Sequence, residues 1–355
     1  MIHLGGLSIG GGAPIRVQSM LRHSLKDLDK CLLESQKLVN AGCEVLRVAL
    51  YSENQLENLR LLKKFLKIPL VADVHYVPRL AVKALLWDAD GVRINPGNMK
   101  DRDALKEIAE VASDMGKVVR VGVNLGSVPE EHIKRFKDPA WAMVNMALDT
   151  VELLESAGLE GIKISLKASD VLTTVKAYRI VSRVTEYPLH IGITEAGPLW
   201  EGTIKSAVGL GILLSEGIGD TIRVSLTGDS VREVEVAYEI LKSLGLRKAG
   251  VEIISCPGCG RCEIDLKRLV RKVREKTRFI NKHIKIAVMG CVVNGPGEAR
   301  DADIGIAGGK KKGVIFKKGK IVETVEEPFI IDRLLELIKK EVDGDEDEQT
   351  VRPDS

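Results

Sequence analysis

Eight short runs rich in β-branched residues, each followed by a longer helical pattern, fill the chain from residue 15 to residue 244. The runs lie at 15–19, 44–49, 69–73, 91–95, 118–124, 161–166, 188–194 and 220–226. The helical patterns lie at 25–41, 53–65, 78–87, 101–115, 139–157, 170–184, 202–215 and 230–244. Eight strand–helix units in series specify a parallel sheet closed on itself with the helices outside. A doubly wound open sheet competes, but no GxGxxG turn follows the first run, which counts against a dinucleotide fold. The expected class is therefore α/β, with a (β/α)8 TIM-type barrel over residues 1–245. Gly5, Gly6, Gly10, Gly11, Gly12 and Pro14 punctuate a hairpin-like lead before the first strand. Asp101 suits a helix N-cap, and Gly42, Gly116 and Gly158 suit helix stops.

The rhythm ends at a short polar linker, 245–250. Beyond it the pattern reads strand 251–254, a cysteine loop, basic helix 264–277, strand 284–289 and a second cysteine loop. Strand 304–307, hairpin 313–316 with 320–325, and helix 328–342 complete a small α/β domain over 251–342. Residues 343–355 form an acidic tail whose composition predicts disorder. The 355 residues exceed one small domain and suit a barrel of about 250 residues plus this second unit. A net charge of +3 is too small to argue for nucleic acid or an anionic membrane surface. No apolar run approaches the roughly 18 residues that a bilayer span requires. The first residues lack a basic-then-apolar leader, and six cysteines in so long a chain suit a reducing compartment, so a cytoplasmic protein is expected.

Barrels of this kind carry their chemistry at the C-terminal ends of the strands. Those ends hold Arg47, Asp73, His75, Arg93, Asn95, Arg120, Asn124, Lys167, Glu195, Arg223 and Ser225. Residues i and i+2 of a strand face the same way, so Arg93 with Asn95, Lys163 with Ser165 and Lys167, and Arg223 with Ser225 line the interior or mouth. Buried cations are costly without anionic partners. Arg47, Arg93, Arg120, Lys167 and Arg223 face only Asp73 and Glu195 as internal acids, so the mouth is expected to take a polyanion. A diphosphate fits, because guanidinium forks engage phosphate oxygens in pairs. No P-loop argues for a nucleotide. Asp73 and His75 are expected to orient the arginines.

The second region carries four of the six cysteines: Cys256, Cys259 and Cys262 in one loop, Cys291 in the next. Cys31 and Cys43 fall at apolar positions of the barrel and read as small core residues. Thiolates select zinc, copper(I) or iron–sulfur clusters. Two fillings stay open on spacing: a structural zinc on Cys256, Cys259, Cys262 and Cys291, or a [4Fe–4S] cluster on three thiolates with a weaker fourth ligand. Three thiols spaced CxxCxxC are hard to place on one tetrahedral zinc. The turn Asn294-Gly-Pro-Gly-Glu298 brings a carboxylate back toward Cys291.

Cys256-Pro-Gly-Cys259-Gly-Arg and Met289-Gly-Cys291-Val-Val-Asn-Gly-Pro-Gly-Glu298, together with the barrel motifs, resemble the bacterial 4-hydroxy-3-methylbut-2-enyl diphosphate synthase family (GcpE/IspG) over essentially the whole chain up to the acidic tail. The resemblance implies reductive ring opening of 2-C-methyl-D-erythritol 2,4-cyclodiphosphate in non-mevalonate isoprenoid biosynthesis. It implies a [4Fe–4S] cluster on Cys256, Cys259, Cys291 and Glu298, with Cys262 left as a spare thiol and Glu298 as a labile ligand with a catalytic role. It further implies that Arg47, Arg93, Arg120, Asn124, Lys167, Arg223 and Ser225 hold the substrate diphosphate and that Glu195 acts as acid/base. Flavodoxin or ferredoxin would deliver the electrons. A homodimer is implied, with the cluster domain of one copy capping the barrel of the other. A zinc-stapled barrel that binds a phosphorylated metabolite and a pterin-dependent transferase are the alternatives.

Overall fold

The computed structural model describes residues 1–262, 264–280, 282–292, 297 and 299–349. The chain divides into two compact units, Met1–Arg247 and Lys248–Ser355. A hairpin opens the first unit, β1 (Ile2–Leu4) with β2 (Leu7–Ile9), paired antiparallel. Its turn needs two positive φ angles, which Gly5 (52°) and Gly6 (82°) supply. The hairpin buries Ile2, Leu4 and Ile9 against Val45, Val71 and Val118.

The barrel strands follow: β3 (Arg16–Met20), β4 (Val45–Ala49), β5 (Leu70–Asp73), β6 (Gly91–Ile94), β7 (Val118–Asn124), β8 (Ile162–Lys167), β9 (His190–Ile191) and β10 (Thr221–Ile222). They pair in parallel in the order β8-β7-β6-β5-β4-β3-β10-β9. A bridge between Ile164 and Leu189 joins β8 to the approach of β9 and completes the ring. The last two strands are shorter than the runs 188–194 and 220–226 suggest. Just past β9, Gly192 packs so tightly that a Cβ there would stand 2.4 Å from the Arg223 carbonyl oxygen. The segment stays in place through single bonds instead, such as Arg223 N–H to the Ile191 carbonyl at 3.0 Å.

Around the ring run α1 (Leu28–Asn40), α2 (Leu56–Phe65), α3 (Pro78–Leu86), α4 (Arg102–Asp114), α5 (Glu130–Phe136), α6 (Pro139–Ser156), α7 (Val171–Val181), α8 (Leu199–Ser215) and α9 (Ser230–Ser243). Helix α4 shows the local logic. Asp101 accepts from the Asp103 and Ala104 amides, and Leu105, Ile108, Ala109 and Ala112 form the buried stripe. Aspartate caps α1, α6, α7 and α9 in the same way. Helix α5 is an addition to the expected pattern. Pro129 precedes it and Lys137, at φ 55°, ends it. Outward strand residues such as Val92, Ile94, Val119 and Val121 join the helices in one core.

The second unit holds β11 (Val251–Ser255), α10 (Leu266–Thr277), β12 (Ile284–Met289), β13 (Ile304–Gly308), β14 (Lys312–Lys317), β15 (Lys320–Glu326) and α11 (Ile330–Gln349). Its sheet runs β11-β12-β13-β14-β15, parallel across the first three strands and antiparallel after them. Leu266, Leu269 and Val273 of α10 and Ile330, Leu334 and Ile338 of α11 cover it. Helix α11 continues past Val342 into the acidic run as far as Gln349. No helix among the described residues is long and apolar enough to cross a membrane.

Candidate active site and cysteine loops

Strand register stacks the barrel's cations. Arg93 lies opposite Arg120, Arg120 opposite Lys163, and Asn124 opposite Lys167. Asp73 lies opposite Arg93, and Met20 opposite Arg47. A barrel interior is ordinarily filled by layers of branched apolar side chains. Here Arg47, Arg93, Arg120, Lys163 and Lys167 are all buried. Gly122 makes room for this, since a Cβ there would stand 2.5 Å from Arg93 Nε.

Two carboxylates organise the cations. Asp73 accepts from Arg93 Nη1 at 3.3 Å and faces Arg47 Nε at 3.5 Å and His75 Nε2 at 3.4 Å. Burial alone would raise its carboxyl, but Arg47, His75, Arg93 and Arg120 hold it well below the usual carboxylate range. Glu233, on α9, is the second acid and is 3% exposed. Its oxygens take a bond from Arg22 Nη2 at 3.1 Å, one from the Leu226 amide at 3.0 Å, and face Arg223 Nη2 at 3.6 Å. Glu195, expected to share the neutralising role, is instead exposed. Met20 Sδ accepts from Arg47 Nη2 at 2.9 Å and lies 3.7 Å from Arg223 Nη1.

Two acids leave several buried donor atoms of these cations unsatisfied. Among the described residues, Arg120 Nε and Nη1, Arg93 Nε, Arg223 Nε and Lys163 Nζ have no hydrogen-bond partner. Burial drives the Arg120 guanidinium well below its ordinary range, with Arg47 and Arg93 adding to the effect. Burial also lowers Arg223 to about 10 and Lys163 to about 7. Lys167 is pushed well down by burial and then by Arg120 and Arg223. It lies 3.1 Å from His190 Nε2, whose Nδ1 lies 2.8 Å from Thr221 Oγ1. Burial, then Lys167, pushes His190 well below its ordinary value. Such an array is stabilised by an anion.

A cavity of about 290 Å³ opens beside these groups, lined by Met20, Arg22, Glu195, Arg223, Ser225 and Glu233 among others. Glu195 carries a backbone φ of 51°, left-handed for a residue with a Cβ. Strain of this kind concentrates at functional positions. Asn124 ends β7 half-buried, and its carbonyl accepts from Ser127 Oγ at 2.7 Å. Arg22 and Glu233 escaped the strand-end reading. Glu233 had a signal: it falls on the same buried stripe as Ser230, Val234, Ala237 and Ile240 of α9.

In the second unit, Cys256 directly follows β11 and Cys291 follows Gly290 after β12. The two strands are parallel neighbours, with Ser255 opposite Val288. Both loops therefore leave the same edge of the sheet. The Gly290 amide donates to Cys256 Sγ at 3.2 Å. Cys259 is exposed, and its thiol is lowered by the backbone amide and then the side chain of Arg261. All six cysteines are free. Burial pushes Cys31 up to about 11 and Cys43 up to about 12, as inert core thiols should be. Among the described residues, no three His, Cys, Asp or Glu side chains stand close enough together to hold a metal ion. Glu298 and Asn294 lie outside the described residues.

The GcpE TIM-barrel domain matches residues 1–238, and the GcpE protein C-terminal domain matches residues 252–340. The chain belongs to the GcpE family. Among its relatives, the 4-hydroxy-3-methylbut-2-en-1-yl diphosphate synthase (flavodoxin) of Thermodesulfovibrio yellowstonii is 50% identical over 340 residues, covering 96% of this chain and 97% of that protein. The synthase of the same name from Caldanaerobacter subterraneus subsp. tengcongensis is 50% identical over 342 residues, 96% of each chain. Among solved structures, the Yersinia pestis dihydropteroate synthase matches with a TM-score of 0.49 at 16% identity, over 69% of this chain and 98% of that one. The two GcpE domains fall on the two compact units, so the family match takes in both the cation-lined barrel and the cysteine loops.

Proposed function

We propose that this chain converts 2-C-methyl-D-erythritol 2,4-cyclodiphosphate to 4-hydroxy-3-methylbut-2-enyl diphosphate, taking up two electrons and two protons and releasing water. The name shared by relatives about 50% identical over 96% of the chain supports the activity. The observation that carries the substrate class is the set of buried, unpartnered guanidinium nitrogens on Arg93, Arg120 and Arg223. Arg47, Arg93, Arg120, Lys167 and Arg223 hold the diphosphate, with Asn124 and Ser225 supplying neutral polar contacts. Held by fixed donors, the diphosphate oxygens keep the charge that develops as the ring C–O bond breaks. Glu195 delivers a proton to the departing hydroxyl at the cavity rim.

The second unit fits an iron–sulfur group by its donor set. Cys256 and Cys291 follow the ends of two neighbouring parallel strands, Cys259 lies in the first of these loops, and an amide already points at the Cys256 sulfur. Cys256, Cys259, Cys291 and Glu298 would hold a [4Fe–4S] cluster there. When bound, such a cluster supplies electrons one at a time, which no side chain does. Gly290 excludes bulk from the space beside Cys256, and the Glu298 carboxylate is the exchangeable member of the set. Reduced flavodoxin is the favoured donor, since the relatives' names carry it, with ferredoxin as the other option. The functional form is a cytoplasmic homodimer in which the second unit of one copy caps the barrel of its partner.

Protein purified without oxygen is assayed for iron, sulfide and zinc, then for turnover of the cyclic diphosphate with reduced flavodoxin. Brown protein that forms the linear diphosphate is expected. Colourless, zinc-replete protein that binds the cyclic diphosphate but never reduces it sinks the reading.

A further inference from the structure

Cys262 has no place in the ligand set, yet it is not a stray surface thiol. Its amide donates to the Cys259 carbonyl at 2.9 Å, so the chain turns back toward β11 immediately after Cys259. Its Sγ lies 3.3 Å from the Ile264 carbonyl. Cys256 and Cys262 are both half-buried and both pack against the cluster built on Leu266, Val273 and Ile286. Cys259, between them in sequence, is exposed.

Gly290 ties the two sulfurs together. A Cβ on that residue would stand 2.7 Å from Cys262 Sγ and 3.4 Å from Cys256 Sγ. Both sulfurs thus flank one backbone position, and any side chain there would wedge between them. The same glycine donates its amide to Cys256 Sγ. A χ1 rotation at either cysteine moves its sulfur by a few ångströms, the scale needed to reach the ~2.05 Å bond of a disulfide.

We propose that Cys256 and Cys262 form a reversible intrachain disulfide in the cluster-free chain. The oxidant is a low-molecular-weight disulfide. The Cys256 sulfur attacks it and expels one thiol, giving a mixed disulfide. The Cys262 sulfur then displaces the second thiol. Two protein S–H bonds are lost, one S–S bond forms, and the small disulfide is reduced to two thiols. The bond shields one ligand sulfur from irreversible oxidation. It also withholds that sulfur from metal until a reductant reopens it, which couples loading of the site to the thiol poise of the compartment. The importance of the bond for loading rests on the ligand set proposed above; its formation does not.

The test uses the full-length chain, stripped of metal by chelation without oxygen, treated with oxidised glutathione, alkylated and digested with trypsin. Trypsin cuts after Arg261, so a Cys256–Cys262 bond joins two peptides, whereas a Cys256–Cys259 bond stays within one. The expected result is the two-peptide link, a free-thiol count lowered by two, and persistence of the link in Cys259→Ser. In Cys262→Ser, Cys256 should instead retain glutathione. A bond within the single peptide, or Cys262 still fully alkylated after oxidation, overturns the proposal. Iron uptake by reduced Cys262→Ser is measured in parallel. Failure to load there would count against the ligand set and leave the disulfide result standing.

Discussion

The barrel and the cysteine loops build their chemistry in opposite ways. In the barrel, functional groups sit on strands whose register fixes their spacing: Arg93, Arg120 and Lys163 stand on three neighbouring strands at paired positions. Asp73 pairs with Arg93, and Glu233, in the cavity wall, faces Arg223. In the second unit, the sheet fixes only where the loops begin, and no three candidate ligands are gathered among the described residues. The strand-borne site is preorganised before its guest arrives. If the proposed cluster binds there, its binding free energy would also help to order the loops.

That contrast breaks most sharply at Cys291. Cys291→Ser is expected to abolish iron loading altogether while leaving the fold of the barrel unchanged, as read by iron analysis and circular dichroism. Retention of a full iron complement would mean that the loops do not depend on this thiol. The corresponding barrel substitution, Glu233→Gln, has the next largest effect and a different character. It leaves Arg22 and Arg223 without their buried counter-charge, which costs about 3–5 kcal/mol of stability. Urea unfolding of the two variants side by side reads the difference. A Glu233→Gln barrel as stable as the parent would remove the claim that the carboxylate holds the array.

What the sequence made legible follows the same division. The eightfold alternation sufficed for the barrel because every strand of a parallel barrel is buried and every crossover is a helix. The strand-end arginines were visible because period-two alternation assigns a face to each residue. Glu233 was not visible from strand ends, because it reaches the site from the first turn of a helix. Helix α5 was hidden because its seven residues present no buried position. The short β9 and β10 were over-read, since composition records β-branched residues but not which of them pair in the ladder. In the second unit, the CxxC spacing exposed the donors, but the packing of Cys262 beside Gly290 depends on two loops meeting, which no local pattern encodes.

Arg120→Met sharpens the comparison from the side of the guest. The guanidinium is buried with two unpartnered nitrogens and is repelled by Arg47 and Arg93. Replacing it by an apolar side chain of similar length should stabilise the free protein by about 1–4 kcal/mol. The same change should weaken binding of the cyclic diphosphate by roughly ten- to a hundredfold, the value of a charge-assisted hydrogen bond. Thermal unfolding and calorimetric titration check the two signs separately. Loss of both stability and affinity would indicate a structural arginine and not one held ready for an anion.

The smallest effect expected is a slope. Lys163 is buried beneath the array, and burial followed by Arg120 lowers it to about 7, while Asp220 acts the other way. Its pKa in the unfolded chain is about 10.4. Between these values the unfolded state binds a proton that the folded state does not, so this group makes stability rise with pH across that window, by about 1.4 kcal/mol per pH unit. Below about 7 the contribution is flat, because both states are protonated, and above about 10 it is flat again. Lys163→Met should remove this slope and leave the rest of the profile intact. Urea unfolding of both proteins at pH 7, 8 and 9 isolates it as a difference. Parallel profiles would show that the amine stays charged when folded and that the barrel supports another full cation. The interior would then need still more negative charge from its guest than Asp73 and Glu233 provide.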